Sequence, residues 1–115
     1  MNKILNMANS KFLLQKVGAS SKFILVGPDG QVLLTSKLYS DNYSCKQGIE
    51  LIRQNINSDK VFEKTKTQDG LFYYNFRLPN RELLAVSEMF AEKEELIENI
   101  EQVKAVSLNA EIIER

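Results

Sequence analysis

The chain of 115 residues contains no histidine, no tryptophan and a single cysteine, Cys45. Without histidine it lacks the commonest metal ligand and the usual general base near neutral pH, so Ser-His-Asp and Cys-His catalysis are excluded. One cysteine cannot form a disulfide within the chain. The spacings typical of zinc sites and calcium loops are also missing. We therefore expect no catalytic residue, no metal and no cofactor, and we expect Cys45 to be a buried structural residue.

Glycine, proline and long apolar runs are also scarce. The chain has only 5 glycines and 2 prolines, with 43% hydrophobic and 26% charged residues, a composition typical of a globular protein. The glycines are dispersed, which argues against a phosphate-binding loop. No apolar run is long enough to span a membrane, and the first ten residues do not resemble a secretory signal. We expect a cytoplasmic protein that does not bind membranes.

Neither sign of charge is in excess over the whole chain, but each half of the chain has an excess of one sign. The formal net charge is zero, yet residues 1–58 carry seven basic and three acidic residues, while residues 59–115 carry eight and twelve. A neutral chain is poorly suited to nonspecific DNA binding, which depends on neutralising phosphates. The two oppositely charged halves either attract each other or are solvated surfaces; alternatively, they favour head-to-tail association.

The sequence repeats itself at an offset of 51 residues. Residues 23–39 align with residues 74–90, and the same residue types recur in three pairs: Pro28 and Pro79, Leu33 and Leu84, Ser36 and Ser87. Further along, Gly48-Ile49 aligns with Asn99-Ile100. The first hairpin needs a shift of one residue, which pairs Phe12 with Phe62. An internal repeat of this length predicts two copies of one structural unit.

The sequence pattern of each repeat predicts three antiparallel strands, a helix and a closing strand. Strands are expected at 11–17, 22–27, 31–37, 60–67, 71–78 and 82–88, because these segments are rich in aliphatic and aromatic residues and are separated by turn sequences. Helices are expected after Asp41 and after Ala91. Apolar residues follow the helical period in both: Cys45, Ile49, Ile52 and Ile56 in the first helix, and Leu96, Ile100 and Val103 in the second.

Segment 59–67 matches both the closing strand of a repeat and the opening strand at Phe12. A single strand that closes the first repeat and opens the second would place both repeats in one sheet. No Gly-, Pro- or Ser-rich linker separates them. We predict an N-terminal extension at 1–10, a first repeat at 11–59 and a second at 60–115, in one compact α+β domain.

The second repeat contains an aromatic strand at 73–78, a turn at Pro79-Asn80, an aliphatic strand followed by Ser87-Glu88, and a helix. This pattern resembles the YegP-like family, small bacterial proteins of a domain of unknown function that is often in tandem. The resemblance covers residues 11–115. The sequence departs from the family pattern at Arg81 and Asn99, where glycine is expected, and at Asp29 and Lys37.

The resemblance implies tandem β(3)-α-β units that share one mainly antiparallel sheet, with two helices packed on one face and with C-terminal strands exchanged between units or subunits. It implies no catalytic residue.

Strand alternation predicts a candidate binding face on the sheet. Tyr74 and Phe76, like Phe23 and Leu25 in the first repeat, are expected to contact the helices. The opposite face then carries the candidate residues: Lys22, Ile24, Val26, Tyr73, Asn75 and Arg77. Ile24 and Val26 need covering, because soluble proteins rarely expose large apolar patches. A partner, sheet curvature or the N-terminal residues Ile4, Leu5 and Met7 could cover them.

We therefore expect a non-enzymatic binding or protein-assembly module, with a protein partner or a second copy of the chain bound to this face. The alternative is a module that binds single-stranded nucleic acid, because aromatic and basic side chains on a sheet can stack bases and neutralise phosphates. Its candidate residues are Tyr73, Arg77, Lys64 and Lys66.

Overall fold

The computed structural model describes residues 9–115. Most of the predicted N-terminal extension, including Ile4, Leu5 and Met7, lies outside the described residues. The strands are β1 Lys11–Val17, β2 Ser20–Val26, β3 Val32–Ser36, β4 Phe62–Lys66, β5 Phe72–Arg77, β6 Leu83–Val86 and β7 Glu111–Glu114. The helices are α1 Asn42–Asn55 and α2 Lys93–Val106, and a 3-10 turn at Asp59–Val61 precedes β4.

The seven strands form one sheet in the order β4-β5-β6-β3-β2-β1-β7. The pairs are antiparallel except for β7, which lies parallel to β1. The closing strand of the second repeat therefore completes the first, and β3 and β6 join the two repeats at the centre of the sheet. The predicted α+β fold with one shared sheet and an exchanged C-terminal strand is confirmed.

The first repeat has no separate closing strand. Lys60 and Val61, which align with the start of β7, lie in the 3-10 turn, and the chain then continues directly into β4. β4 pairs only with β5, so this segment opens the second repeat but adds no closing strand to the first, contrary to the double role expected for residues 59–67. The sheet has seven strands because the first repeat contributes three and the second, with its closing strand β7, contributes four.

Both helices pack on the same face of the sheet, and their apolar stripes are buried. Cys45, Ile49 and Ile52 of α1 belong to the same core cluster as Leu96 and Val103 of α2. Asp41 caps α1 by accepting a hydrogen bond from the Ser44 backbone N–H at 2.8 Å. The second helix starts later than expected, at Lys93, because Glu92 acts as its N-cap in a capping box with Glu95.

The serines shared by the two repeats have the same role. The Ser36 hydroxyl accepts a hydrogen bond from the Phe23 backbone N–H at 2.9 Å, and the Ser87 hydroxyl accepts one from the Tyr74 backbone N–H at 3.0 Å. Each serine thereby satisfies a buried backbone amide of the strand beside it.

Candidate binding face

The six candidate residues of the binding face are brought together on the sheet surface opposite the helices. Their strand neighbours Phe23, Leu25, Tyr74 and Phe76 are buried against the helices. The candidates alternate with them and are half-buried: Lys22, Ile24 and Val26 on β2, and Tyr73, Asn75 and Arg77 on β5. We call this surface the open face, because within residues 9–115 both helices lie on the other side.

Strand register places one continuous row of side chains across the open face. Ile113 pairs with Leu13, Leu13 with Ile24, and Ile24 with Thr35. Thr35 pairs with Val86, Val86 with Asn75, and Asn75 with Glu63. Thr35 and Val86 occupy equivalent positions in the two repeats. The two repeats therefore meet at the centre of this row, where β3 pairs with β6.

The two ends of the row differ in chemistry. On β7, β1, β2 and the start of β3 five aliphatic side chains lie together on the open face, and we call them the apolar half: Leu13, Ile24, Val26, Val32 and Ile113. Lys22 lies outside the apolar half, opposite Gln15 of β1. On β4 and β5 it carries polar side chains, which we call the polar half: Glu63, Thr65, Tyr73, Asn75 and Arg77. All ten are half-buried.

The charges of the polar half are already paired. The Glu63 carboxylate accepts hydrogen bonds from Arg81 at 2.9 Å, from Arg77 at 3.1 Å and from Asn75 at 3.4 Å. Hydrogen bonds from Arg81, then Arg77 and Asn75, hold the pKa of Glu63 below its usual value. Arg77 also donates to the Arg81 carbonyl oxygen at 3.1 Å. The guanidinium of Arg77 is therefore committed to contacts within the chain.

The residues named for nucleic-acid binding do not form one surface. Tyr73 and Arg77 lie on the open face, whereas Lys64 pairs with the buried Tyr74 and so points to the helix side. Lys66 lies on that same side, with its ammonium 5.4 Å from the centroid of the Phe72 ring. The structure thus divides these four side chains between opposite faces of the sheet.

Cys45 lies in the core and is fully buried. Burial raises the pKa of its thiol to about 11, the opposite of the shift that activates a nucleophilic cysteine. Its position on α1 agrees with the structural role expected from the apolar stripe.

The oppositely charged segments of the sequence attract each other within the chain. Lys46 pairs with Glu114 at 2.6 Å, Lys37 with Glu82 at 2.9 Å and Lys11 with Glu111 at 3.9 Å. The exchange of β7 carries Glu111 and Glu114 onto the first repeat, which makes two of these pairs available.

Sequence reasoning did not identify several residues of the apolar half. Alternation along β1 could have placed Leu13 on this face. Val32 could not have been placed by alternation, because a bulge in the pairing of β2 with β3 turns it to the open face. Ile113 could not have been found in that way, because its place depends on the parallel pairing of β7 with the distant strand β1.

Comparison with known proteins shows similarity to bacterial proteins of unknown function. The UPF0339 protein YegP of Escherichia coli is 32% identical over 84 residues, which cover 73% of this chain and 76% of that protein. A UPF0339 protein of Pseudomonas aeruginosa is 28% identical over 88% of this chain and 93% of that protein.

The solution NMR structure of Escherichia coli YegP superimposes with a TM-score of 0.87 at 28% identity, covering 93% of each chain. No helix among residues 9–115 is long and apolar enough to cross a membrane. The family described as Domain of unknown function (DUF1508) matches the sequence twice, at residues 20–63 and 68–114. Two copies of this domain account for the repeat and the shared sheet, and the chain belongs to the DUF1508 family.

Proposed function

We propose that this protein is a non-enzymatic assembly module that self-associates through the apolar half of the open face. The observation that carries this proposal is the row of aliphatic side chains from Ile113 through Leu13 to Ile24, on the side of the sheet away from the helices. Removing such side chains from water favours association in proportion to the apolar area buried.

A second copy of the chain suits this surface for two reasons. A twofold axis would bring the apolar half of one copy against the same aliphatic residues of the other. Lys11 and Glu111 lie beside these residues, paired with each other on neighbouring strands, so the rim carries both signs of charge. In a twofold dimer Lys11 of one copy can meet Glu111 of the other. The zero net charge adds no overall repulsion.

A role without catalysis is supported by the absence of histidine from the sequence and by the paired, half-buried state of the polar side chains on the open face. The single reduced thiol suits the cytoplasm, where we place the module. Nucleic acid is less suitable as a ligand, because Arg77 is committed to Glu63 and the two lysines lie on the other face.

Sedimentation velocity over a range of protein concentrations tests self-association. We expect the wild type to form a dimer as concentration rises, and the double variant Ile24→Asp with Val26→Asp to remain monomeric, because charge is disfavoured at an interface core. Ile24→Thr with Val26→Thr retains the β-branched shape and should weaken the dimer less. Thr65→Asp adds charge to the polar half and should leave the dimer unchanged.

Each result bears on the proposal. A wild type that stays monomeric at every concentration would disprove self-association. Unfolding of the Thr double variant, detected by circular dichroism, would show instead that Ile24 and Val26 belong to an internally covered core. Salt-sensitive oligonucleotide binding that is lost in Tyr73→Ala with Arg77→Ala would support the nucleic-acid alternative.

A further inference from the structure

A cleft of about 380 Å³ lies on the helix side of the first repeat, between α1, the connection that follows β3, and the start of β6. Tyr39 and Gly48 line it together with an ion pair, Lys37 and Glu82, and two aliphatic side chains, Leu38 and Leu51. This volume falls within the range of small-molecule sites, which are roughly 300 to 1,000 Å³. The cleft is lined by α1 and so lies on the side of the sheet opposite the open face.

Residue 48 leaves room for the Tyr39 hydroxyl because it is glycine. A Cβ atom at position 48 would overlap the Tyr39 hydroxyl. In the second repeat the equivalent residue is Asn99, whose side chain accepts a hydrogen bond from Tyr74 and donates one to the Leu33 carbonyl oxygen. The same position therefore carries a bonded amide side chain in the second repeat and no side chain in the first.

The Tyr39 hydroxyl is buried and has no hydrogen-bond partner among residues 9–115. Burial, with smaller contributions from Cys45 and Glu82, raises the pKa of Tyr39 well above its usual value, so the group remains a neutral donor. Buried polar groups without partners are rare in folded proteins and often mark a site for water or a ligand.

The ion pair on the wall of the cleft retains capacity for further bonds. Lys37 Nζ lies 2.9 Å from Glu82 Oε2, and the two side chains are 36% and 39% exposed. An ammonium has three donors and a carboxylate about four acceptor positions, so one contact leaves both groups partly unsatisfied. The two opposite charges are therefore presented side by side next to Leu38, which is 56% exposed.

We propose that this cleft binds a small zwitterion, an α-amino acid with an aliphatic side chain. The ligand carboxylate pairs with Lys37 and the ligand ammonium with Glu82, forming a closed arrangement of four alternating charges. The aliphatic side chain packs on Leu38 and Leu51, and the Tyr39 ring lies beneath the Lys37 ammonium, 5.2 Å from its centroid.

Titration of the full chain with L-leucine, followed by amide chemical shifts, tests the proposal. We expect saturable shifts at residues 37–51 and at Glu82. Three related compounds test which parts of leucine the cleft binds. Isoamylamine lacks the carboxylate, 4-methylpentanoate lacks the ammonium, and glycine lacks the aliphatic side chain. The amine and the acid should each bind about ten-fold more weakly or worse, since a charged hydrogen bond contributes about 1.4 kcal/mol or more. Glycine should also bind about ten-fold more weakly or worse, because it buries no aliphatic side chain.

Variants of the chain provide the matching test. Lys37→Met retains the aliphatic stem and Glu82→Gln retains the shape, and each should weaken leucine binding about ten-fold. Glu88→Gln changes the residue equivalent to Lys37 in the second repeat and should have no effect.

Three results would overturn the proposal. The first is a lack of saturable shifts up to the solubility limit of leucine. The second is equal binding of the amine or the acid alone, which would show that the two charges do not act together. The third is leucine binding that persists unchanged in Lys37→Met and Glu82→Gln, because the site would then lie elsewhere.

Discussion

In the first repeat Tyr39 lies over Gly48 and Phe23 has no hydroxyl, whereas in the second repeat the equivalent residues are Phe90, Asn99 and Tyr74. Each repeat thus places one phenolic hydroxyl near the middle of its helix, but from a different strand segment. The residue on the helix differs accordingly. Glycine leaves room for Tyr39, and asparagine accepts the hydrogen bond from Tyr74.

This difference shows that the three positions depend on one another. Asn99 departs from the glycine expected from the family pattern, and the Tyr74 hydroxyl gives its side chain a buried partner. A change at the helix position is tolerated when the aromatic residues facing it change as well. The open faces differ in a similar way, since Leu13 and Ile24 of the first repeat correspond to Glu63 and Asn75 of the second.

The largest expected effect comes from separating the repeats. A chain ending at residue 58 would lack β7, which pairs with β1, and β6, which pairs with β3. We expect it not to fold as a monomer, because the apolar stripe of α1 and two strand edges would be exposed. Amide spectra of the truncated chain check this. A sharp, well-dispersed spectrum from a monomer would show that the first repeat is self-sufficient.

Substitution of Gly48, the helix glycine of the first repeat, should be costly. Gly48→Ala should destabilise the fold by about 1–3 kcal/mol through overpacking against Tyr39, despite the better helix propensity of alanine. The cost should be smaller in a Tyr39→Phe background, which removes the nearest atom. Urea unfolding of the four chains in this cycle measures the coupling, and equal costs in the two backgrounds would contradict it.

Removal of the asparagine should be costly in the second repeat for a different reason. Asn99→Ala leaves the buried Tyr74 hydroxyl without its acceptor and the Leu33 carbonyl oxygen without its donor, at about 1–3 kcal/mol. In a Tyr74→Phe background the loss should be smaller. Glu98→Ala, at the exposed neighbouring position, is the control and should change the free energy of unfolding little.

Glu63 should make the stability of the polar half depend on pH. Because its pKa is lowered in the folded protein, its contribution is present above the unfolded pKa and is lost as pH falls through the folded pKa. The stability difference between the wild type and Glu63→Gln should therefore shrink as the solution is acidified. Unfolding in urea across the acidic range measures it, and a constant difference would mean that the negative charge of Glu63 contributes nothing to stability.

The smallest effect is expected at the turn between β5 and β6. Arg81 adopts a φ of 76°, a left-handed conformation that its counterpart Gly30 adopts freely at 83°. Arg81→Gly should stabilise the chain by about 1 kcal/mol from the backbone, less a few tenths for its exposed ion pair with Glu63. Gly30→Ala should destabilise by a similar amount. Thermal unfolding would detect both, and a less stable Arg81→Gly would contradict the prediction.

Much of the fold could be predicted from local patterns. Periodicity identified the helices and their buried residues, since Cys45 and Leu96 occupy the same place in two similar stripes. Alternation identified both faces of β2 and β5. Arg81 was recognised as a departure from the glycine of the family pattern, and its positive φ shows why glycine suits that turn.

The candidate site could be predicted only in part. Ile24, Val26 and Arg77 were assigned to the open face, but the pairing of Arg77 with Glu63 was not anticipated, because it depends on the register between β4 and β5. The division of Lys64 and Tyr73 between opposite faces depends on the same register. The cleft beside Gly48 was not predicted either, since Lys37 and Glu82 are 45 residues apart in the chain.

By itself the sequence determined the repeat, the types of its elements and the inward face of each, because these follow from spacings of two to four residues along one segment. Tertiary structure alone decided that β7 lies parallel to β1, which brings Ile113 to the open face, and that Arg77 of β5 pairs with Glu63 of β4. These features depend on which distant segments meet, and local periodicity carries no information about that choice.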